Sequence, residues 1–136
     1  MLIDTNVWSE LTRRKPDSNV LHWIEEHFGE CVLSAIVLAE MRYGIALTDE
    51  RARREELQTF HDDLLAKLHR PIAPFDDDAA SAWASLRATL QRTGKLIGER
   101  DMLIAAHAVG LGVPLVTRNV SDMARTGAVI INPWQA

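Results

Sequence analysis

The segment Met1-Leu2-Ile3-Asp4 opens the chain with a short apolar run that ends in an acid, and this pattern predicts the fold. Four later runs have the same character, since they are short, mostly β-branched and bounded by polar or turn residues; they cover residues 31–33, 71–73, 115–117 and 129–131. Such runs are typical of strands buried in a parallel sheet.

Longer segments between these runs carry the helical spacing of apolar residues. Val20, Ile24 and Phe28 form one stripe, and similar stripes run through residues 57–68 and 79–90. Strands that alternate with helices predict an α/β domain of three layers, α/β/α, around a central parallel sheet of four to five strands. We assign residues 1–136 to this single domain.

Two helical regions have a more specific pattern. Residues 102–109 are apolar on every side, which predicts a buried helix that ends at Gly110 and Gly112, before Pro114. Residues 37–67 contain no strand pattern, and we expect two consecutive helices that break near Thr48 and Asp49.

Composition limits the possible classes of protein. The net charge is −4. This charge argues against a protein that binds nucleic acids without regard to their base sequence, because such proteins are basic. No apolar run is long enough to span a bilayer, and the first residues lack the pattern of a signal peptide. Cys31 is the only cysteine, and its apolar neighbours predict a buried thiol. We therefore expect a cytoplasmic protein.

Four acids are predicted to meet at the carboxyl edge of the sheet, where ligands bind in open parallel sheets. Asp4 directly follows the first strand, and Asp122 lies shortly after the fourth. Asp101 opens the apolar helix that leads into the fourth strand, and Glu40 lies about two turns into the helix after Ser34. Four carboxylates close together repel unless a cation is present. Oxygen ligands alone favour Mg²⁺ or Mn²⁺ over zinc, and such a site can activate water to cleave a phosphodiester.

Each acid also has an ordinary structural explanation. Asp4 fits the cap of a following helix, Asp122 fits a capping box with Asn119, and Asp101 fits a favourable interaction with a helix dipole. Glu40 has apolar neighbours and therefore needs a metal or a basic partner, for which Arg42 and Arg118 are candidates.

In order along the chain, four motifs resemble those of PIN-domain nucleases, and the closing Ile131-Asn-Pro-Trp is similar to the end of VapC and FitB-type toxins. The four are Leu2-Ile-Asp-Thr-Asn-Val, the segment from Leu33 through Glu40 to Ile45, Asp101-Met-Leu-Ile-Ala-Ala-His-Ala, and Thr117-Arg-Asn-Val-Ser-Asp-Met. One departure is Met123, where the family usually has Phe.

This resemblance implies the toxin of a type II toxin–antitoxin pair, an Mg²⁺-dependent endoribonuclease for which Mn²⁺ is a plausible substitute. By position, Asp4, Glu40, Asp101 and Asp122 are its metal-binding and catalytic acids, and Asn6 and Thr117 hold a carboxylate or a water. Glu99 is an additional acid next to the third motif and is interpreted as solvated. The expected partners are RNA, a VapB-type antitoxin and a second toxin chain in a homodimer or hetero-oligomer.

Four basic residues lie near the acidic motifs and are candidates for contacts with RNA phosphates: Arg42, Lys95, Arg100 and Arg118. The antitoxin is expected to bind between the first two helices and the helices of residues 37–67, which carry a surplus of apolar side chains. Two alternatives remain open at this stage. One is a receiver-like phosphoacceptor domain, and the other is a catalytically inactive PIN-type binding module.

Overall fold

The computed structural model describes residues 1–136, which form three short strands and seven α-helices. The strands are β1 (Leu2–Ile3), β2 (Leu115–Val116) and β3 (Ile130–Ile131). The helices are α1 (Thr5–Glu10), α2 (Ser18–His27), α3 (Ala35–Leu47), α4 (Arg51–Lys67), α5 (Asp77–Arg92), α6 (Glu99–Leu111) and α7 (Val120–Met123). None of these helices combines the length and the apolar character that are needed to span a bilayer.

The sheet is parallel, with β2 in the middle and β1 and β3 on either side. Two further segments extend it beyond β1 through single parallel bridges, from Leu2 to Val32 and from Ser34 to Ala73. All five predicted segments therefore lie side by side, but only three are strands, so the predicted count of four to five was too high. The segment around Val32 stays short because a 3-10 turn ends at Glu30 and α3 begins at Ala35.

Both faces of the sheet are covered. Successive residues of a strand point to opposite faces, yet Leu2 and Ile3 of β1 and both residues of β2 are completely buried. The predicted α/β fold with a parallel sheet is confirmed, and the short strands direct their carboxyl ends toward Asp4 and Thr117.

The helices follow the predicted stripes closely. The predicted pair of consecutive helices is present as α3 and α4, with Thr48 at the end of α3. Cys31 is buried as expected, and burial raises the pKa of its thiol to about 11.

The predicted end of helix α6 needs a correction. Gly110 lies inside the helix, where a β-carbon would come within 2.9 Å of backbone atoms of Ala79 in α5. The helix ends at Gly112, which adopts the left-handed conformation with φ 69°. Val109 is 45% exposed, so α6 is not buried on every side as its apolar sequence suggested.

Candidate active site

Asp4 is the most completely enclosed acid at the carboxyl edge of the sheet. It follows β1 and caps α1, where its Oδ1 accepts a 2.7 Å hydrogen bond from the backbone N–H of Thr5. Its Oδ2 accepts from the hydroxyl of Thr117 at 2.7 Å and from the side-chain amide of Asn6 at 3.3 Å. The side chain is fully buried. The helix-cap explanation therefore holds, and the same carboxylate still faces the candidate site.

Glu40 and Asp101 reach the same point from two other elements. Glu40 projects from α3, and its Oε1 accepts a 2.7 Å hydrogen bond from the Thr5 hydroxyl. Asp101 lies in the first turn of α6, and its Oδ2 accepts a 2.8 Å hydrogen bond from the side-chain amide of Asn119. We call Asp4, Glu40 and Asp101 the acid cluster.

Arg100 joins the three carboxylates of the acid cluster through one guanidinium. It forms ion pairs with Asp4, with Glu40 and, at 2.8 Å, with Asp101. Partial burial lowers the pKa of Arg100, but the hydrogen bond to Glu40 and the charge of Asp4 outweigh that effect and raise the pKa above its usual value. Glu40 therefore has the basic partner that its apolar setting required, although it is neither Arg42 nor Arg118.

The fourth predicted acid, Asp122, takes no part in this ion-pair network. It is half-buried in α7, and its side chain takes part in no hydrogen bond or ion pair. The capping-box explanation fails, because Asn119 makes no capping hydrogen bond and donates its amide to Asp101 instead. Glu99, the additional acid, is paired with Arg87 and not with Arg100.

The predicted basic residues have different surroundings. Arg42 donates a 3.3 Å hydrogen bond to His61, and Lys95 is exposed with no ion pair. The guanidinium of Arg118 lies 5.0 Å from the centre of the Trp134 ring, and the backbone N–H of Arg118 donates to Asn6. Arg118 is therefore an exposed cation directly beside the residues that hold Asp4.

His107 lies in the core and has a structural role. Its Nε2 is 3.0 Å from the carbonyl oxygen of Pro74, which can only accept, and its Nδ1 is 2.8 Å from the hydroxyl of Ser34. The ring therefore carries its proton on Nε2 and accepts from Ser34. Burial lowers the pKa of His107, which favours this neutral form.

The acid cluster has the donor chemistry of a divalent-cation site. Arg100 lies between the three carboxylates, and in this arrangement no three acids surround a common point as metal ligands would. Every donor is an oxygen, and the three carboxylates face a single positive charge. The surplus of negative charge and the absence of sulfur or imidazole ligands suit Mg²⁺ or Mn²⁺.

A pocket of about 130 Å³ adjoins the acid cluster between α1, α3 and α4. Thr5 and Glu40 belong to both the pocket and the ion-pair network. The apolar part of its lining includes Trp8, Ile45 and Phe60. Nearby, Tyr43 and Leu47 on α3 are 65% and 60% exposed, so this helix carries apolar side chains that the domain itself leaves uncovered.

Sequence reasoning missed two residues that hold the acids in place. Thr5 contacts both Asp4 and Glu40, and Asn119 holds Asp101. Both lie inside the quoted motifs, so the signal was present. That signal could not be interpreted from the sequence alone, because the sequence does not show that the first motif lies beside α3 or that the fourth motif lies beside α6.

Comparisons with known proteins match this architecture over nearly its whole length. The family model described as the PIN domain matches residues 1–128. A VapC ribonuclease of Sinorhizobium fredii is 41% identical over 99% of this chain and 98% of its own length. The toxin FitB of Neisseria gonorrhoeae is 33% identical, with 98% of each chain covered. The crystal structure of FitAcB from the same organism superposes with a TM-score of 0.92 at 32% identity, covering 99% of each chain.

Proposed function

Because the chain belongs to the PIN domain family, we propose that it is a toxin of the VapC and FitB kind that hydrolyses RNA with a divalent cation held by the acid cluster. The cation we propose is Mg²⁺, with Mn²⁺ as a substitute. The single observation that carries the metal proposal is the convergence of Asp4, Glu40 and Asp101 on one positive group. Membership of the PIN domain family also argues against the alternative of a receiver-like phosphoacceptor domain.

The chain's own residues prepare the site before any cation or substrate arrives. Thr117 and Asn6 fix Asp4, Thr5 fixes Glu40, and Asn119 fixes Asp101. Such hydrogen bonds hold each carboxylate at one angle, and losing them typically weakens a metal site by about 10–100-fold. When bound, the cation activates a water and neutralises charge on the phosphate.

We propose Asp122 as the fourth acid of the site, although it takes no part in the ion-pair network. Its carboxylate is not engaged by any other side chain, so it is available to orient a water or a cation from the α7 side. Arg118, exposed beside Asn6, is proposed to contact a phosphate of the RNA. The cytoplasm suits this activity, because it contains the RNA and keeps a thiol such as Cys31 reduced.

We propose that an antitoxin segment occupies the pocket beside the acid cluster. The apolar lining would receive its apolar side chains, and Glu40 in the same lining would attract a basic one. Arg is the best candidate, because its planar fork pairs with two carboxylate oxygens at once. Binding there would suppress cleavage by covering the acids. A VapB-type antitoxin encoded beside this chain is the expected partner.

The metal proposal is tested by RNA cleavage with purified protein in Mg²⁺, in excess chelator, and after Mg²⁺ is restored. We expect cleavage only when Mg²⁺ is present, and none from the Asp101→Asn variant under any condition. Asp49→Asn removes an exposed acid between α3 and α4 and should cleave like the wild type. Undiminished cleavage in chelator would exclude a divalent-cation mechanism.

The same assay distinguishes the proposed nuclease from the remaining alternative. A catalytically inactive binding module would leave RNA intact in Mg²⁺ while still binding its partner. Sequencing the RNA ends that accumulate on expression, with Asp4→Asn as control, identifies the RNA that is cut.

A further inference from the structure

We infer that Arg100 is the resident counter-ion of the acid cluster, and that its guanidinium must leave the three carboxylates before a divalent cation binds them. The inference rests on the proposed metal site and concerns the chain's own residue. It makes Arg100 a positioning residue that competes with the cation.

Four of the five N–H donors of the Arg100 side chain are used inside the protein. Its Nε donates to Glu40, its Nη1 to Asp101 at 2.8 Å, and its Nη2 to both Asp4 and Thr5. Each nitrogen of the fork thus faces a different partner. A surface arginine paired by chance with one acid does not have this arrangement, because it would leave most of its donors to water.

Each acid divides its two oxygens between Arg100 and the supporting residues. Glu40 Oε2 and Asp101 Oδ1 accept from Arg100, and so does Asp4 Oδ1, which also accepts from the backbone N–H of Thr5. The other oxygens of these acids accept from Thr117 with Asn6, from Thr5, and from Asn119. The oxygens that face the centre of the cluster are therefore those held by Arg100. Either the guanidinium of Arg100 or a metal ion can occupy that centre, but not both at once.

Arg100 is also able to leave. Its side chain is 36% exposed, whereas Asp4 is fully enclosed. It stands in the first turn of α6, directly before Asp101, so its release moves a flexible side chain and requires no movement of the acids. The acids are then already oriented by their second hydrogen bonds when the cation arrives.

The test measures Mn²⁺ affinity by calorimetric titration in the absence of RNA. Arg100→Gln should bind Mn²⁺ at least about tenfold more tightly than the wild type, a coupling of ordinary size between two sites. Arg92→Gln, which removes an exposed and unpaired arginine of α5, makes the same change in net charge and should stay within about twofold of the wild type. An Arg100→Gln protein that binds Mn²⁺ no more tightly than Arg92→Gln overturns the inference.

A second measurement uses the wild type, in case Arg100→Gln does not fold. The Nε–H resonance of Arg100 should be protected from exchange with water in metal-free protein and should lose that protection on addition of Mg²⁺. A resonance that stays protected at saturating Mg²⁺ would show that the guanidinium remains in place. Failure of the proposed function gives a different result: if Mn²⁺ binds none of the three proteins, the metal site itself is wrong, and this inference falls with it.

Discussion

The hydroxyl of Thr117 donates a 2.7 Å hydrogen bond to the carboxylate of Asp4 across 113 positions of the chain, and both side chains are fully buried. The bond joins the ends of two neighbouring parallel strands, β1 and β2. It fixes the acid that the domain encloses most completely.

Replacing Thr117 by Val should weaken both the fold and the metal site. The variant keeps the shape of the side chain but leaves Asp4 Oδ2 with only the longer bond from Asn6. We expect a loss of about 1–2 kcal/mol in the free energy of unfolding without metal and a loss of about tenfold in Mn²⁺ affinity. Urea denaturation and Mn²⁺ titration measure the two effects. Thr117→Ser, which keeps the hydroxyl, is the control, and equal Mn²⁺ affinities for the two variants would contradict this role.

Arg118 should contribute to binding RNA and little to the fold. Its guanidinium stacks on Trp134 in an exposed place, where such a contact is worth about 0.5–1 kcal/mol. We expect Arg118→Ala to weaken RNA binding and to reduce the slope of log affinity against log salt by about one. RNA binding at several salt concentrations, using Asp4→Asn protein to prevent cleavage, provides the measurement. An unchanged slope would mean that Arg118 does not neutralise a phosphate.

His107 should make the fold sensitive to acid. Because burial lowers its pKa in the folded protein, the unfolded chain takes up a proton at higher pH than the folded chain does. The contribution of neutral His107 to the free energy of unfolding is therefore intact above the ordinary histidine pKa of about 6.5, and it is lost as the pH falls below that value. Denaturation at about pH 8 and about pH 5.5 should show a smaller loss of stability for His107→Gln than for the wild type. The other titrating groups are common to both proteins and cancel.

A charge in the pocket beside the acid cluster should separate partner binding from catalysis. Ile45 lines the pocket and has no polar side-chain atom that could take part in the ion-pair network. We expect Ile45→Asp to weaken binding of the antitoxin by at least about tenfold, because a carboxylate without a partner is costly in an apolar interface. RNA cleavage by the free protein should stay within about twofold of the wild type. Co-purification with the neighbouring small protein tests this prediction, with Ile45→Leu as control. Full inhibition of Ile45→Asp by the antitoxin would place the binding surface elsewhere.

The limits of prediction from the sequence are visible at Glu40. Its apolar neighbours in α3 correctly indicated that it needs a partner, but Arg42 and Arg118 were considered and Arg100 is the one present. Arg42 is close in sequence, yet it points to His61. The pairing with Arg100 depends on how α6 lies against α3, which local periodicity does not encode. Val109 was misjudged for the same reason, since an apolar residue gives no information about which neighbour covers it.

Capping and turn residues, in contrast, were informative. Ser34 is a residue type typical of helix caps, and its hydroxyl accepts from the N–H of Ile36 at 3.0 Å. Asp4 fulfils the helix-cap interpretation, and the cap still leaves its second oxygen able to accept from Thr117, while its role as a metal ligand stays a prediction. The number of strands was overestimated because an apolar run of three residues does not reveal how soon the chain turns away into a helix.

The position of β1 in the sheet also affects the order in which the protein can fold during its synthesis. Leu2 is bridged to Val32 on one side and to Leu115 on the other, so the first strand is completed by a segment near the end of the chain. Contacts of such long sequence separation slow folding, because the intervening chain must close first. During synthesis, Asp4 gains its Thr117 hydrogen bond only after the later segment has emerged from the ribosome. A growing chain therefore carries an unfinished set of acids until the segment around Thr117 has been synthesised and has paired with β1.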